Sequence, residues 1–473
     1  MATDTMDMKH GINPDRLFLL SCISLIVTAM TFAIRAGILG QLNETIGLTD
    51  TELGFVNAMA FLGFPLAMVL LGYLYTQLGP RLIMILAFAG HLLGLILTMA
   101  ASGFLGLLVS TFFIGFANGS VEAACNPMIA DMYKNNKSTM LNRFHVWFPG
   151  GIVIGAVIAY IMGTKLDMSW QSQIGIMLIP TAIYGYMIFT TQFPERIKSS
   201  PVNVFTLLML IAVMALLALF ALVNLSPALA FIKTVGGKLA VLAIVFVLLA
   251  VLLRQRGNSW RDVILLFVMM ALMTLTTTSE LGTQQWVERI LGSTGASSML
   301  VLAMVTGLMA VGRFFAGPVI HALNPVGVLL MSAVVTSAGL FLMSIATGGM
   351  IYLAAIVFAI GVCYFWPTMV GFVSEYIPRS GALGMSLLGA SGMFALTFWN
   401  PVIGGWIDAA RKQANAAGVT GDAAEVVAGQ TAMSNLALFP LILILAFVVL
   451  FVMRKQVAAG AGEHVALTKT YEP

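Results

Sequence analysis

The sequence predicts an all-α chain that crosses a membrane fourteen times, and three observations support that fold class. Hydrophobic residues make up 60% of the 473 positions and charged ones only 9%, against about 25% charged in soluble domains. Apolar runs of about 20 residues, the length of helix that spans a bilayer, recur along the whole chain. Lysine and arginine gather between those runs: with the N-terminus inside, sixteen of the 23 fall on the side of the termini and six on the other, with Arg35 left within a span. Basic residues of short loops favour the cytoplasmic side, so both termini are expected in the cytoplasm and the chain in a cell (plasma or inner) membrane. The formal charge of +4 is spread over these loops, so the expected partners are the bilayer and a small molecule, with no nucleic acid. A monomer is expected.

Taken in order, residues 1–16 are too polar for a cleaved signal peptide, so the first span is expected to stay as an anchor. Spans are expected near 17–41, 53–76, 82–102, 105–131, 143–163 and 171–192, forming an N-terminal six-helix bundle over 1–195. Two plain apolar helices without ionisable side chains, near 204–223 and 239–253, make an inserted segment over 196–258. Six more spans, near 262–287, 296–320, 326–346, 350–373, 382–407 and 431–453, form a C-terminal bundle over 259–455. The Ala- and Gly-rich stretch 408–430 is expected as the longest loop, on the outside, and 456–473 as a disordered cytoplasmic tail. Cys22, Cys125 and Cys363 all lie in apolar runs and offer neither a disulfide framework nor metal-ligand spacing.

The chemistry concentrates in Gly115–Gly155, GFANGSVEAACNPMIADMYKNNKSTMLNRFHVWFPGGIVIG. Glu122 lies within an apolar span, where an ionisable side chain is expensive and is usually kept for function. Asn126-Pro127 follows one turn later, and the next span opens with Asn142, Arg143, His145 and Trp147. A membrane carboxylate of this kind can load a proton from one side and release it to the other; the plainer reading is a structural carboxylate bonded to neighbouring helices. Span seven carries Glu280, Gln284, Gln285 and Trp286 in SELGTQQWV, span ten Tyr364 and Trp366, and span eleven Asn400. Aromatic faces beside amides suit a sugar, whose ring faces stack while its hydroxyls exchange hydrogen bonds. Against this, Trp147 and Trp286 read equally well as interfacial anchors, His145 as a solvated histidine, and Asn126 and Trp366 as packing beside helix-kinking prolines.

An internal repeat sets the architecture. GYLYTQLGPR from Gly72 is echoed by GPVIHALNPV from Gly317, 245 residues on, and Asn126-Pro127-Met128 by Trp366-Pro367-Thr368, 240 on. Two parallel six-helix halves with two helices between them explain the offsets, and parallel halves with substrate bound between them at mid-depth are a transporter arrangement. The chain here resembles the major facilitator superfamily, although Thr76 stands where that superfamily's loop motif has an acidic residue. Within it, a carboxylate followed by Ala-Ala, one residue and Asn-Pro, then Leu-Asn opening the next helix, resembles the fucose:proton symporter family. That resemblance implies coupled uptake of a sugar, with Glu122 at the ion-coupling position and His145 near the sugar. The place of that family's second acidic residue is Ala36, so the coupling ion is expected to be H+ with Na+ as the other candidate. No cofactor or metal is expected.

Other classes fit less well. The five histidines show no nucleophile or metal spacing, so an enzyme is not expected. A transport-inactive sensor would tolerate loss of the buried polar set, which this chain retains. A transporter of a small organic anion remains as an alternative, with Arg35 as counter-charge. Arg35 and Glu280 each lie 18 residues into their spans, about 27 Å along a helix, so the two are expected to pair as part of an outer gate.

Overall fold

Short polar residues set ahead of apolar runs fix where the helices begin. In the computed structural model, which describes residues 12–133, 140, 143–194, 203–222, 234–255 and 257–459, every regular element is a helix. The Asn13 side chain accepts from the Arg16 N–H to start α1 (Pro14–Gly37), with Pro14 where a missing N–H does no harm. A short α2 (Leu39–Ile46) ends at Gly47 in the left-handed region. Thr49 and Glu52 form a reciprocal capping box for α3 (Asp50–Tyr73). The first half continues through α4 (Tyr75–Ala100), α5 (Phe104–Met132), α6 (Trp147–Ala159) with a π turn over Tyr160–Lys165, α7 (Trp170–Gly175) and α8 (Leu178–Thr190). Next come the plain helices α9 (Val204–Leu222) and α10 (Val235–Gln255), which expose Phe205, Leu208, Leu239 and Val247 as an apolar surface suited to lipid.

The remainder is α11 (Trp260–Thr277), a π turn over Thr278–Gly282, α12 (Val287–Leu291), α13 (Ser298–Phe314), α14 (Ala316–Ile345), α15 (Met350–Val362), α16 (Phe365–Tyr376), α17 (Gly381–Ala416), α18 (Asp422–Leu436) and α19 (Leu438–Val452). Twelve segments among the described residues are long and apolar enough to cross a membrane. Fourteen were expected; the other two, Val204–Phe220 and Ser298–Arg313, are apolar but shorter. The second is cut at Phe315, after which the chain re-enters a helix at Ala316.

The sequence repeat has a backbone counterpart. Gly79 (φ 75°, ψ 155°) interrupts α4 just before Pro80, and Asn324 (φ 57°, ψ 163°), 245 residues later, interrupts α14 just before Pro325. Proline forces the preceding residue away from helical ψ at both places. The stretch 408–430, expected as a loop, is mostly helix. Alanine is the strongest helix former, so α17 runs on to Ala416, the chain turns through Gly418 (φ 84°) and Gly421 (φ 64°), and α18 starts at Asp422. At 36 residues, α17 is about 54 Å long, well beyond the roughly 30 Å of a hydrocarbon core.

Packing divides the chain into two compact units. Unit one comprises Met1–Leu210, Gln284–Gly307 and Asn400–Gly429; unit two comprises Ile211–Thr283, Leu308–Trp399 and Gln430–Pro473. Within unit one, α3 and α4 pack on α5 and α1 on α6; within unit two, α14 packs on α15 and α19. Small residues spaced four apart let these backbones touch. A methyl group at Gly115 or Gly119 of α5 would run into the carbonyl of Ala60 or Phe64 of α3, and one at Gly151 of α6 would lie 2.6 Å from the Ala29 Cβ of α1. Gly115→Val should therefore destabilise the protein by about 2 kcal/mol and lower its melting temperature in detergent. Gly72→Ala, in open space, should leave it unchanged; equal melting of the two variants would refute this account of the α3–α5 contact.

Candidate functional site

Unit one brings together three residues singled out in the sequence. Glu122 on α5 is 8% exposed, and its Oε2 accepts from Asn126 Nδ2 at 2.6 Å, one turn on. Asn126 Oδ1 lies 3.0 Å from Nε2 of the exposed His145. With the Asn126 amide oriented in this way its oxygen can only accept, so His145 must carry a proton on Nε2. Trp147, at the start of α6, is exposed, and Asn142 lies outside the described residues. A second chain, not read from the sequence, runs deeper in the same unit. Asn118 Nδ2 donates to Thr31 Oγ1 (3.0 Å), so Asn118 Oδ1 accepts from His91 Nε2 (2.8 Å) and His91 Nδ1 accepts from the Tyr184 hydroxyl (2.7 Å). Every polar atom of that imidazole is satisfied, which makes His91 a structural residue.

At the other end of α1, Arg35 Nη2 donates to Gln285 Oε1 at 2.7 Å, and Gln285 Nε2 donates to the Phe32 carbonyl at 3.2 Å. Beside them in the chain, Trp286 is fully buried and its Nε1 donates to Asn400 Oδ1 at 2.9 Å, while Gln284 is buried. Arg35, Gln285, Trp286 and Asn400 thus share unit one. The pairing of Arg35 with Glu280 expected from the sequence is replaced. Glu280, in the π turn of unit two, accepts from Arg313 Nη2 at 3.1 Å. Equal depth along two helices does not fix the rotation of either about its axis, and Arg313, counted from the sequence as a residue of the cytoplasmic face, lies in the last turn of α13 and takes the carboxylate.

In unit two the charge pair sits among interrupted helices. The break between α13 and α14 and the break between α15 and α16 bring Arg313 Nε to the Cys363 carbonyl (2.9 Å) and the Tyr364 hydroxyl to the Gly312 carbonyl (3.1 Å). Carbonyls freed by broken helices need such donors in a membrane. Trp366 is half-buried beside Gly392 and Thr277.

A charge network missing from the sequence reading closes one end of unit one. Asp50, at the start of α3, is completely buried and is gripped by Arg289 through Nε at 2.7 Å and Nη2 at 3.0 Å, and by Arg411 Nη2 at 2.5 Å. Arg411 also binds Glu425 and Asp408, and Asp408 accepts from the Thr51 N–H and hydroxyl at 2.9 and 2.6 Å. Close backbone contact accompanies it: a methyl at Gly54 would lie 2.5 Å from the Asn400 carbonyl, and one at Gly404 would meet the Asp50 carbonyl. Alongside, Glu288 accepts from the Gly40 N–H at 2.9 Å. Burial pushes the Glu288 carboxyl from its ordinary value of 4.5 up to about 7, against the lowering pull of Arg289 and the Gly40 N–H, while the charges of Asp50 and Glu44 add to the rise. The only hint in the sequence was the Asp408–Arg411 spacing, one helical turn.

Two predictions follow from this end of the unit. Asp50→Ala strands two arginines and should destabilise the protein by on the order of 3 kcal/mol, read as a lower melting temperature; no change would show the network to be ornamental. Because the folded state holds the Glu288 proton more tightly than the unfolded chain, its contribution to stability should fall as pH rises from about 4.5 to about 7. Glu288→Gln should remove that part of the slope, and identical pH–melting curves for the two proteins would contradict the assignment.

Comparison with known proteins places the chain. One relative is the solute carrier family 2, facilitated glucose transporter member 10 of Xenopus tropicalis, 26% identical over 195 residues, 40% of this chain and 35% of the relative. Another is the probable nitrate/nitrite antiporter NarK1 of Thermus thermophilus, 33% identical over 158 residues, 33% of this chain and 34% of the relative. The chain thus spans about a third of each of these curated relatives. The crystal structure of a D-xylose-proton symporter shares the fold, with a TM-score of 0.64 at 13% identity over 90% of this chain and 97% of that one. Residues 21–282, more than half of the chain, match the family model of the Major Facilitator Superfamily, and with its membrane-length helices the chain is a multi-pass membrane protein that belongs to that superfamily.

Proposed function

We propose that the chain is a secondary active transporter working by alternating access, which couples entry of a sugar to entry of a proton as the fucose:proton symporter resemblance implies. The observation that carries this reading is the chain Glu122–Asn126–His145: a carboxylate nearly shut from water, joined through one amide to an imidazole exposed to it. An ionised Glu122 holds the amide nitrogen of Asn126 and leaves its oxygen facing His145. A protonated Glu122 donates instead, which favours the amide oxygen turned toward it and the nitrogen turned outward, free to donate to a new partner such as a sugar hydroxyl oxygen. Proton loading thereby changes what the site offers to substrate, which is the differential interaction coupling requires.

The rest of the reading follows from the same frame. Fourteen spans, the two shorter apolar helices included, put both termini in the cytoplasm, place the Asp50 network on the outer face as a gate, and leave the protein a monomer in the cell membrane without a cofactor. The sugar-carrying names among the similar proteins support a sugar substrate, and H+ is favoured over Na+ by the fucose:proton symporter resemblance. Glu122→Gln, fixed in the neutral form, should abolish accumulation of sugar against a gradient in proteoliposomes while counterflow exchange persists. Unimpaired uphill uptake by that variant would overturn the assignment of Glu122.

A further inference from the structure

Arg35 and Asn57 are distinguished by the partners they lack. Arg289, Arg313 and Arg411 each hold a carboxylate, whereas among the described residues Arg35, 4% exposed, has none, and its Nε and Nη1 are without any partner. Its guanidinium is bonded only to Gln285 and lies 5.4 and 5.3 Å from the ring centres of Phe32 and Phe61. Asn57 is fully buried, and both its amide oxygen and its amide nitrogen are unpartnered. Asn57 shares one stripe of α3 with Phe61, four residues on, and with Gly54, three residues back, which meets the Asn400 carbonyl. The two orphaned side chains are thus linked through Phe61, against which Arg35 lies and from which Asn57 stands one helical turn along α3 in unit one. Buried polar groups left unpaired are costly, and a native structure keeps them where something else completes them.

The missing partner can be described by its chemistry. Arg35 supplies one positive charge, which a monoanion neutralises and a phosphate group at about −1.5 to −2 overshoots. Asn57 needs a group that both donates and accepts, which is a hydroxyl; acetate or nitrate has acceptors alone and would leave the Asn57 oxygen orphaned. We propose that Arg35 and Asn57 bind a monoanionic hydroxy acid of the sugar-acid class, its carboxylate on Arg35 and its hydroxyls on Asn57. This rests on the sugar-transport reading and narrows it. The small cavity beside Arg35 has Val56 rather than Asn57 in its wall and a volume of about 20 Å³, room for one water, so a ligand that reaches both side chains enters only when the end of the unit held by Asp50 opens.

The test uses the purified full-length protein, its melting temperature, and titrations with D-glucuronate, D-glucose, acetate and nitrate. D-glucuronate should raise the melting temperature and bind more tightly than the other three. Arg35→Met should weaken its binding by at least about thirtyfold and Asn57→Leu by about tenfold. Asn57→Leu removes only orphaned polar atoms and should melt at or above the wild-type temperature when empty, whereas Arg35→Met also gives up its bond to Gln285 and should melt no more than slightly below it. The proposal is overturned if either variant melts far below wild type, which makes the groups structural, or if acetate or nitrate matches D-glucuronate. Binding of D-glucose with no preference for D-glucuronate overturns it while leaving the sugar reading intact, and binding of neither sugar removes both.

Discussion

A carboxylate fully removed from water has to be matched by positive charge, and much of unit one is arranged to meet that demand at Asp50. Two arginines reach it from segments 239 and 361 residues away in the sequence. Arg289 arrives at the head of α12, and Arg411 arrives only because α17 continues as a helix far past the hydrocarbon. After Asp50 the two arginines leave one positive charge over, which Glu425 and Asp408 together more than offset, and Asp408 also satisfies donors at the start of α3. The capping box of Thr49 and Glu52, the glycines at 54 and 404, and the left-handed turn at Gly418 and Gly421 all serve the approach of these segments. Glu288 adds a proton-sensitive contact to the same assembly, so charge balance there depends on the pH of the compartment it faces.

The two units treat the cations of their apolar helices differently. In unit two, the half-buried Arg313 is neutralised by Glu280 and its Nε donates to the Cys363 carbonyl. In unit one, Arg35 has an amide and two aromatic faces, which solvate a cation without cancelling its charge. A transporter that spends part of its cycle empty can carry such an imbalance where ligand, rather than protein, completes the site.

Much of the fold was legible because its causes are local or periodic. Apolar runs act through nearest neighbours, and they located the helices. Glu122, Asn126 and His145 were legible too, since a carboxylate in an apolar run needs a reason. What escaped depends on quantities a single chain does not display. Rotation about a helix axis decided that Glu280 meets Arg313 and that Arg35 meets Gln285. Alanine and glycine together looked like a loop over 408–430, yet the alanines extend two helices and the glycines only turn between them. Asp50 lies just outside the apolar run of its span, where an acidic residue is ordinary, and only the tertiary structure buries it.

The paired interruptions at Gly79 and Asn324 are one backbone demand met by two different residues. Their backbone angles lie in a region that glycine enters freely and other residues enter at about 1–3 kcal/mol. Asparagine nevertheless stands at the second site, where its Oδ1 accepts from the Gly327 N–H at 3.1 Å and restarts the helix, a cap contributing about 1 kcal/mol that glycine lacks. What the two sites share is therefore a dihedral angle set by the proline that follows each of them, met by glycine in one and by a self-capping asparagine in the other.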